Sequence, residues 1–160
     1  MTRLHSSDQA KTASACRLQF MRVMDERDSL TERIIGCAVA LHRSIGPGLR
    51  ENVYHRGLAI EFEASGLAFA SKPSFPVHHR GRILGEFIPD FIVDDEVIVE
   101  IKCVSAFDRV FEAQMLTYLR VTKLQRGLLL NFGRALMRDG IHRFANDWRG
   151  EAAPMNDPQK

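Results

Sequence analysis

Apolar positions recur at helical spacing through Leu30, Ile34, Cys37, Ala38, Leu41 and Ile45, which predicts a helix reaching about Ser44. Ser29 followed by Glu32 has the form of a capping box, and Gly46-Pro47-Gly48 ends the pattern by removing a donor and permitting a turn. A second helix is predicted from about Arg50 to Ala64, with Tyr54, Leu58 and Phe62 on one stripe and Gly66 as its C-cap. The period then changes. Ser71 to Arg80, with Pro73 and Pro76, reads as an edge strand, and Gly81 as the turn into the next. Two apolar runs, Phe87–Val93 and Val97–Ile101, flank Asp94, Asp95 and Glu96, so Gly85 to Cys103 reads as an antiparallel hairpin. Helical spacing returns after Ser105, a candidate cap, and runs to about Val121 with Val110, Phe111, Met115, Tyr118 and Leu119 on the apolar side. Arg126 to Phe132 is a short buried strand, and Ile141 to Phe144, after the Asp139-Gly140 turn, is a last one. The order is helices, a three-stranded antiparallel run, a helix, then a strand that joins the sheet across that helix; this describes a mixed α/β sheet.

The ends lack this organisation. Residues 1–27 show no sustained period and read as an extension outside the core, either disordered or a loosely attached helix over Ala13–Met24, with Met24 an alternative start. Residues 149–160, with Pro154 and Pro158, read as a flexible tail, which leaves one domain over 28–148. No apolar run approaches membrane-spanning length and no secretory apolar segment opens the chain, so a cytoplasmic protein is expected. Cys16, Cys37 and Cys103 are too scattered for a disulfide framework or a zinc knuckle, and Cys37 and Cys103 read as small core residues.

Net charge is only +2, but its distribution is uneven. Leu84 to Glu100 holds six acidic side chains and no basic one, whereas Lys102 to Arg149 holds nine Lys or Arg against four Asp or Glu. An acidic strand pair beside a basic second half suits a polyanion bound through a metal ion, and a solvated surface gives the same count.

The hairpin carries the candidate chemistry. With Asp94-Asp95-Glu96 as the loop, Val93 pairs with Val97, and counting back sets Asp90 opposite Glu100, with Lys102 on the same face; a two-residue turn would slip the register by one residue and weaken that pairing. Carboxylates so paired, with Cβ atoms about 4.5–5.5 Å apart, repel. Either the Lys102 ammonium or a divalent cation between them compensates, the second because hard cations prefer oxygen ligands. Glu51 and Tyr54 stand three apart on the second helix, and Gln114 and Tyr118 one turn apart on the third. His78 and His79, adjacent on a strand, point to opposite faces and read as exposed polar residues.

Gly48-Leu49-Arg50-Glu51-Asn52-Val53-Tyr54 has the form GxxExxY, and Pro89-Asp90 followed by Glu100-Ile101-Lys102 has the form PD…ExK. With Glu112 to Leu119, which holds Gln114 and Tyr118, and the Gly127–Asn131 strand, the chain resembles the GxxExxY family, a branch of the PD-(D/E)XK nuclease-like superfamily, from about Leu30 to Phe144. The resemblance implies a restriction-endonuclease-like core, a central mixed sheet flanked by helices. It also implies a site using Mg²⁺, with Mn²⁺ as a substitute, at Asp90, Glu100 and Lys102, and Glu51 contributed by the preceding helix.

On this reading Asp90, Glu100, Glu51 and the main-chain carbonyl of Ile101 are the metal ligands; Asp90, Glu100, Lys102 and Gln114 are the catalytic residues. Tyr54 and Tyr118 contact substrate. The expected activity is metal-dependent phosphodiester hydrolysis with nucleic acid as partner, DNA before RNA. The alternative is a non-catalytic module that keeps the fold to bind nucleic acid or to assemble with copies of itself.

Overall fold

The structure is a computed structural model that describes residues 29–146. The expected extension over 1–27 and the tail over 149–160 lie outside the described residues. The chain divides between Gly36 and Cys37 into two units. Of the first, residues 29–36 are helical, and this helix, α1, continues to residue 45. The second unit carries the sheet and the candidate site.

Five strands make the main sheet, in the order β1 (Phe69–Ser71), β4 (Phe91–Val93), β5 (Val97–Lys102), β6 (Arg126–Asn131) and β7 (Ile141–Ala145). All contacts are antiparallel except β5 with β6, which run parallel because α3 (Arg109–Thr122) carries the chain across between them. The sheet is therefore mixed, and it is flanked by helices. β5 sits at its centre and is buried from Val97 through Ile101. Asp94, Asp95 and Glu96 form the loop, and Val93 pairs with Val97, Phe91 with Val99.

Alternation sorts the two faces. Ile92, Ile98 and Leu129 pack under Met115 and Leu119 of α3. On the opposite face α2 (Glu51–Ala64) stacks Tyr54 on Phe132 at 4.5 Å between centroids and sets Phe62 edge-on to Phe91 at 5.4 Å. α2 ends as the sequence predicts: Gly66, at φ +63°, lets Leu67 N–H donate to Phe62 O (3.0 Å) and Gly66 N–H to Glu63 O (3.1 Å), which satisfies carbonyls the helix leaves open.

Several elements differ from the sequence reading. The run Phe87–Val93 is two strands, since β3 (Arg82–Phe87) ends before Ile88 and β4 begins at Phe91. Pro89 explains the gap: it has no N–H to donate and restricts the residue before it. The three-stranded antiparallel run therefore does not exist as one sheet. Among the described residues β2 (Phe75–His79) and β3 pair only with each other, joined by Arg80 and Gly81, both in the left-handed region as the tight hairpin turn requires. β1 was not predicted; three residues give too short a period to read. Val110 is exposed and does not join the apolar face of α3.

α3 starts later than expected. Asp108, not Ser105, is its cap: the Asp108 carboxylate accepts from Val110 N–H at 2.9 Å. Asp108→Ala is expected to cost about 1 kcal/mol of stability, read as a lower urea midpoint with an unchanged slope. Among the described residues no helix is long and apolar enough to cross a membrane.

Candidate active site

The site lies where β4 parts from β5. Their ladder stops at Phe91–Val99, yet the Asp90 carboxylate extends it by one rung: Oδ2 accepts from Ile101 N–H at 2.8 Å, on the edge of β5 that the departing backbone has left open. The main chain of Asp90 is held as well. Its N–H points at Glu100 Oε2 (3.4 Å), and its carbonyl accepts from Lys72 N–H (2.9 Å) and stands 3.3 Å from His55 Nε2. Oδ1 has no hydrogen-bond partner among the described residues. One carboxylate oxygen is thus fixed by the backbone while the other is available to a ligand.

Glu100 and Lys102 follow Ile98 on β5, so both point to the α3 face. Lys102 Nζ donates to Glu100 Oε1 at 2.9 Å and lies 5.4 Å from the centre of the Phe111 ring. Glu100 is only 7% exposed. Burial raises its pKa; the Lys102 bond and charge pull it down, and Asp90 pushes it up again, with a net upward shift. Burial alone would lower the pKa of Lys102, but the bond to Glu100 and the charges of Glu100, Glu51 and Asp90 outweigh it, so the amine is held in its charged form above its ordinary value.

Glu51 opens α2 at the favourable end of the helix dipole and is exposed. Burial of part of its surface and the Asp90 charge raise its pKa, against Lys102, Lys72 and His55, so it shares the electrostatic field of the site. Its placement explains the GxxExxY spacing. Gly48, at φ +97°, lets the chain turn ahead of the helix. Tyr54 O–H donates to Gly46 O (2.7 Å) and accepts from Leu49 N–H (3.1 Å), which fastens the loop and sets Glu51 in the first turn. Tyr54, expected at the substrate, is fully buried instead, with its hydroxyl committed to this loop.

Gln114 and Tyr118 stand together on α3, Gln114 Nε2 donating to Tyr118 O–H. Tyr118 stacks on Phe87 at 4.4 Å, and Phe87 on Phe75 at 5.1 Å. Partial burial raises the Tyr118 pKa, Gln114 opposes this, and Glu100 and Asp90 add to it over Lys102, so the tyrosine faces the acidic pair as a neutral phenol.

Sequence reasoning missed His55 and Lys72. His55 stacks on Phe91 at 4.3 Å and, four residues beyond Glu51, falls on the same helix face, a spacing that could have found it. Lys72 left no such signal, because its role depends on its backbone N–H. Cys103, half-buried and not core, has its thiol pushed up to about 11 by burial, with Glu51 and Asp90 adding to the effect, and stays neutral at pH 7.

The donors suit a hard cation. Asp90 Oδ1, the Glu100 carboxylate and, on the same strand edge as the Ile101 N–H, the Ile101 carbonyl form an all-oxygen set. Among the described residues no three His, Cys, Asp or Glu side chains gather tightly enough to enclose an ion. The acids meet as a pair, the number with which Mg²⁺ is commonly held when phosphate oxygens and waters complete its shell.

A family model described as the PD-(D/E)XK nuclease superfamily matches residues 28–144, most of the 160-residue chain. The chain belongs to the PD-(D/E)XK nuclease superfamily. Its five-stranded mixed sheet with flanking helices agrees with the restriction-endonuclease-like core of that superfamily. No curated protein and no solved structure matches the chain. Members of the PD-(D/E)XK superfamily typically use divalent metal ions, in keeping with the oxygen donors at Asp90 and Glu100.

Proposed function

We propose that the protein is a metal-dependent nuclease of the GxxExxY branch, hydrolysing phosphodiester bonds in DNA in preference to RNA. The observation that carries this reading is the Asp90 carboxylate bound through one oxygen to Ile101 N–H at 2.8 Å, with the other free beside the Glu100–Lys102 pair. The acidic stretch ahead of Glu100 and the basic second half supply the charge pattern that a bound polyanion needs.

Asp90, Glu100 and the Ile101 carbonyl would hold Mg²⁺ or Mn²⁺, with Glu51 acting from the first turn of α2. Such an ion supplies Lewis-acid polarisation of a phosphoryl oxygen and lowers the pKa of water. Lys102, kept positive by its acidic neighbours, stabilises negative charge that develops on the phosphoryl group. Gln114 and Tyr118 orient the substrate from α3, Tyr118 as a hydrogen-bond donor. Tyr54 acts through Glu51 by fastening the loop ahead of it. Phe111 under the Lys102 ammonium and the packing of α3 limit where that amine can go.

The test is incubation of the purified chain with single-stranded, duplex and branched DNA and with RNA, in Mg²⁺, in Mn²⁺ and in chelator. Cleavage that requires the metal and favours a DNA substrate is expected. A second reading, a non-catalytic module with the nuclease fold, draws on the Lys102–Glu100 pair being satisfied within the protein. It calls for salt-dependent binding, or self-association, without turnover in any of these mixtures.

A further inference from the structure

The β2–β3 ribbon has no role in the chemistry above, and its composition is unusual. The ribbon's one acidic residue, Glu86, lies next to its root and accepts from Ser74 Oγ at 2.7 Å, while toward the tip Arg80 and Arg82 are cationic and His78 and His79 add polar donors. Among the described residues the ribbon pairs with no other strand. It is anchored at its root, where Phe75 and Phe87 stack on each other and Phe87 on Tyr118 of α3. Beyond that root every β3 residue from Arg82 to Glu86 is exposed, Ile83 at 64% and Leu84 at 68%. Arg80 occupies the left-handed region at φ +48°, a conformation that a bulky residue seldom adopts, so the turn presents an arginine at the tip.

Three features converge: a two-stranded arm with an exposed end, positive charge without a single counter-charge at that end, and a large aliphatic side chain, Leu84, in water on the face that carries Arg82. A polyanion with an apolar interior satisfies all three. Through Phe87 and Tyr118 the root of the arm packs on the helix that carries Gln114.

We propose that the β2–β3 ribbon is a nucleic-acid-gripping arm, in which Arg80 and Arg82 contact phosphates and Leu84, on the same strand face as Arg82, lies against sugars or base edges. This rests on the nuclease reading of the same site and names the surface that holds its substrate. Phosphate contacts release counterions, so each one adds to the salt dependence of binding, whereas apolar contacts do not.

The test measures binding of fluorescent single-stranded and duplex oligonucleotides to the full chain over a range of salt, with Mg²⁺ replaced by chelator to prevent cleavage. Arg80→Glu/Arg82→Glu is expected to weaken binding about tenfold or more and to lower the salt slope by about two. Arg43→Glu/Arg138→Glu, the same charge change at exposed positions away from the ribbon, is expected to leave the slope near that of the wild type. Thermal melting of each variant separates these effects from misfolding, and because β3 is exposed a normal melt is expected. A wild type that binds while Arg80→Glu/Arg82→Glu binds equally well overturns the arm alone. A wild type that binds no nucleic acid overturns the nuclease reading and the arm with it. Dimerisation that Ile83→Ser/Leu84→Ser abolishes, with nucleic-acid binding intact in that variant, would assign the surface to a second copy of the chain and so overturn the proposal.

Discussion

Asp90→Asn is expected to lower metal-dependent cleavage by a factor on the order of 10²–10³, as expected for loss of one key electrostatic group, while the protein stays folded. The amide is close to isosteric with the carboxylate, and its oxygen can still accept from Ile101 N–H, now at 2.8 Å from Oδ2. What disappears is a negative charge beside Glu100, whose pKa Asp90 helps to raise. Relieving that repulsion should leave the melting temperature of the metal-free variant equal to or above that of the wild type, the pattern of a site whose function costs stability. Lys102→Met should depress cleavage similarly, but with a loss of stability, because it strands the buried Glu100 carboxylate without its partner. Single-turnover cleavage and thermal melts of the two variants side by side decide the matter. Asp90→Asn cleaving at the wild-type rate would remove the carboxylate from the mechanism.

Tyr54→Ala is expected to cost about 3–5 kcal/mol, the range for truncating a buried aromatic, and to give the largest stability loss of any single change considered. Tyr54 is fully buried and stacked on Phe132. Tyr54→Phe isolates the hydroxyl: the ring remains, but Gly46 O and Leu49 N–H lose their partner. About 1–3 kcal/mol is expected, the cost of leaving such groups unsatisfied. Urea unfolding gives both numbers. The Phe variant also separates a positioning role from a substrate contact. If Tyr54 acts by fixing the loop before Glu51, activity should fall chiefly in the rate of the chemical step, with substrate affinity nearly unchanged. A large loss of affinity at unchanged rate would return Tyr54 to the substrate.

The helices and the central hairpin were legible because their signals are local. Val97 to Ile101 is a Val and Ile run broken only by Glu100, Asp94-Asp95-Glu96 interrupts two apolar runs, and counting back from that loop gives the Val93–Val97 and Phe91–Val99 pairs of the ladder, which stops one residue short of Asp90. Gly66 ended α2 for the same reason, since a left-handed residue after a helix is a single-residue choice. Where the reading failed, several residues competed. Ser105 and Asp108 are both good caps, and only the path of the chain out of β5 selects the second. Phe87 to Val93 looked continuous because hydrophobicity persists across Pro89, yet a missing donor counts for more than apolar character there.

Residue types and spacing alone determined α2, the loop between β4 and β5 and the pairing of Val93 with Val97, because those signals are local; Asp90, Glu100 and Lys102 stood out through their match to the PD…ExK pattern. Tertiary structure decided what each of those groups touches. It detached β2 and β3 from the main sheet, buried Tyr54 and brought His55 and Lys72 to the carbonyl of Asp90. These contacts join segments far apart in the chain, and a sequence pattern carries no record of which distant group completes a hydrogen bond.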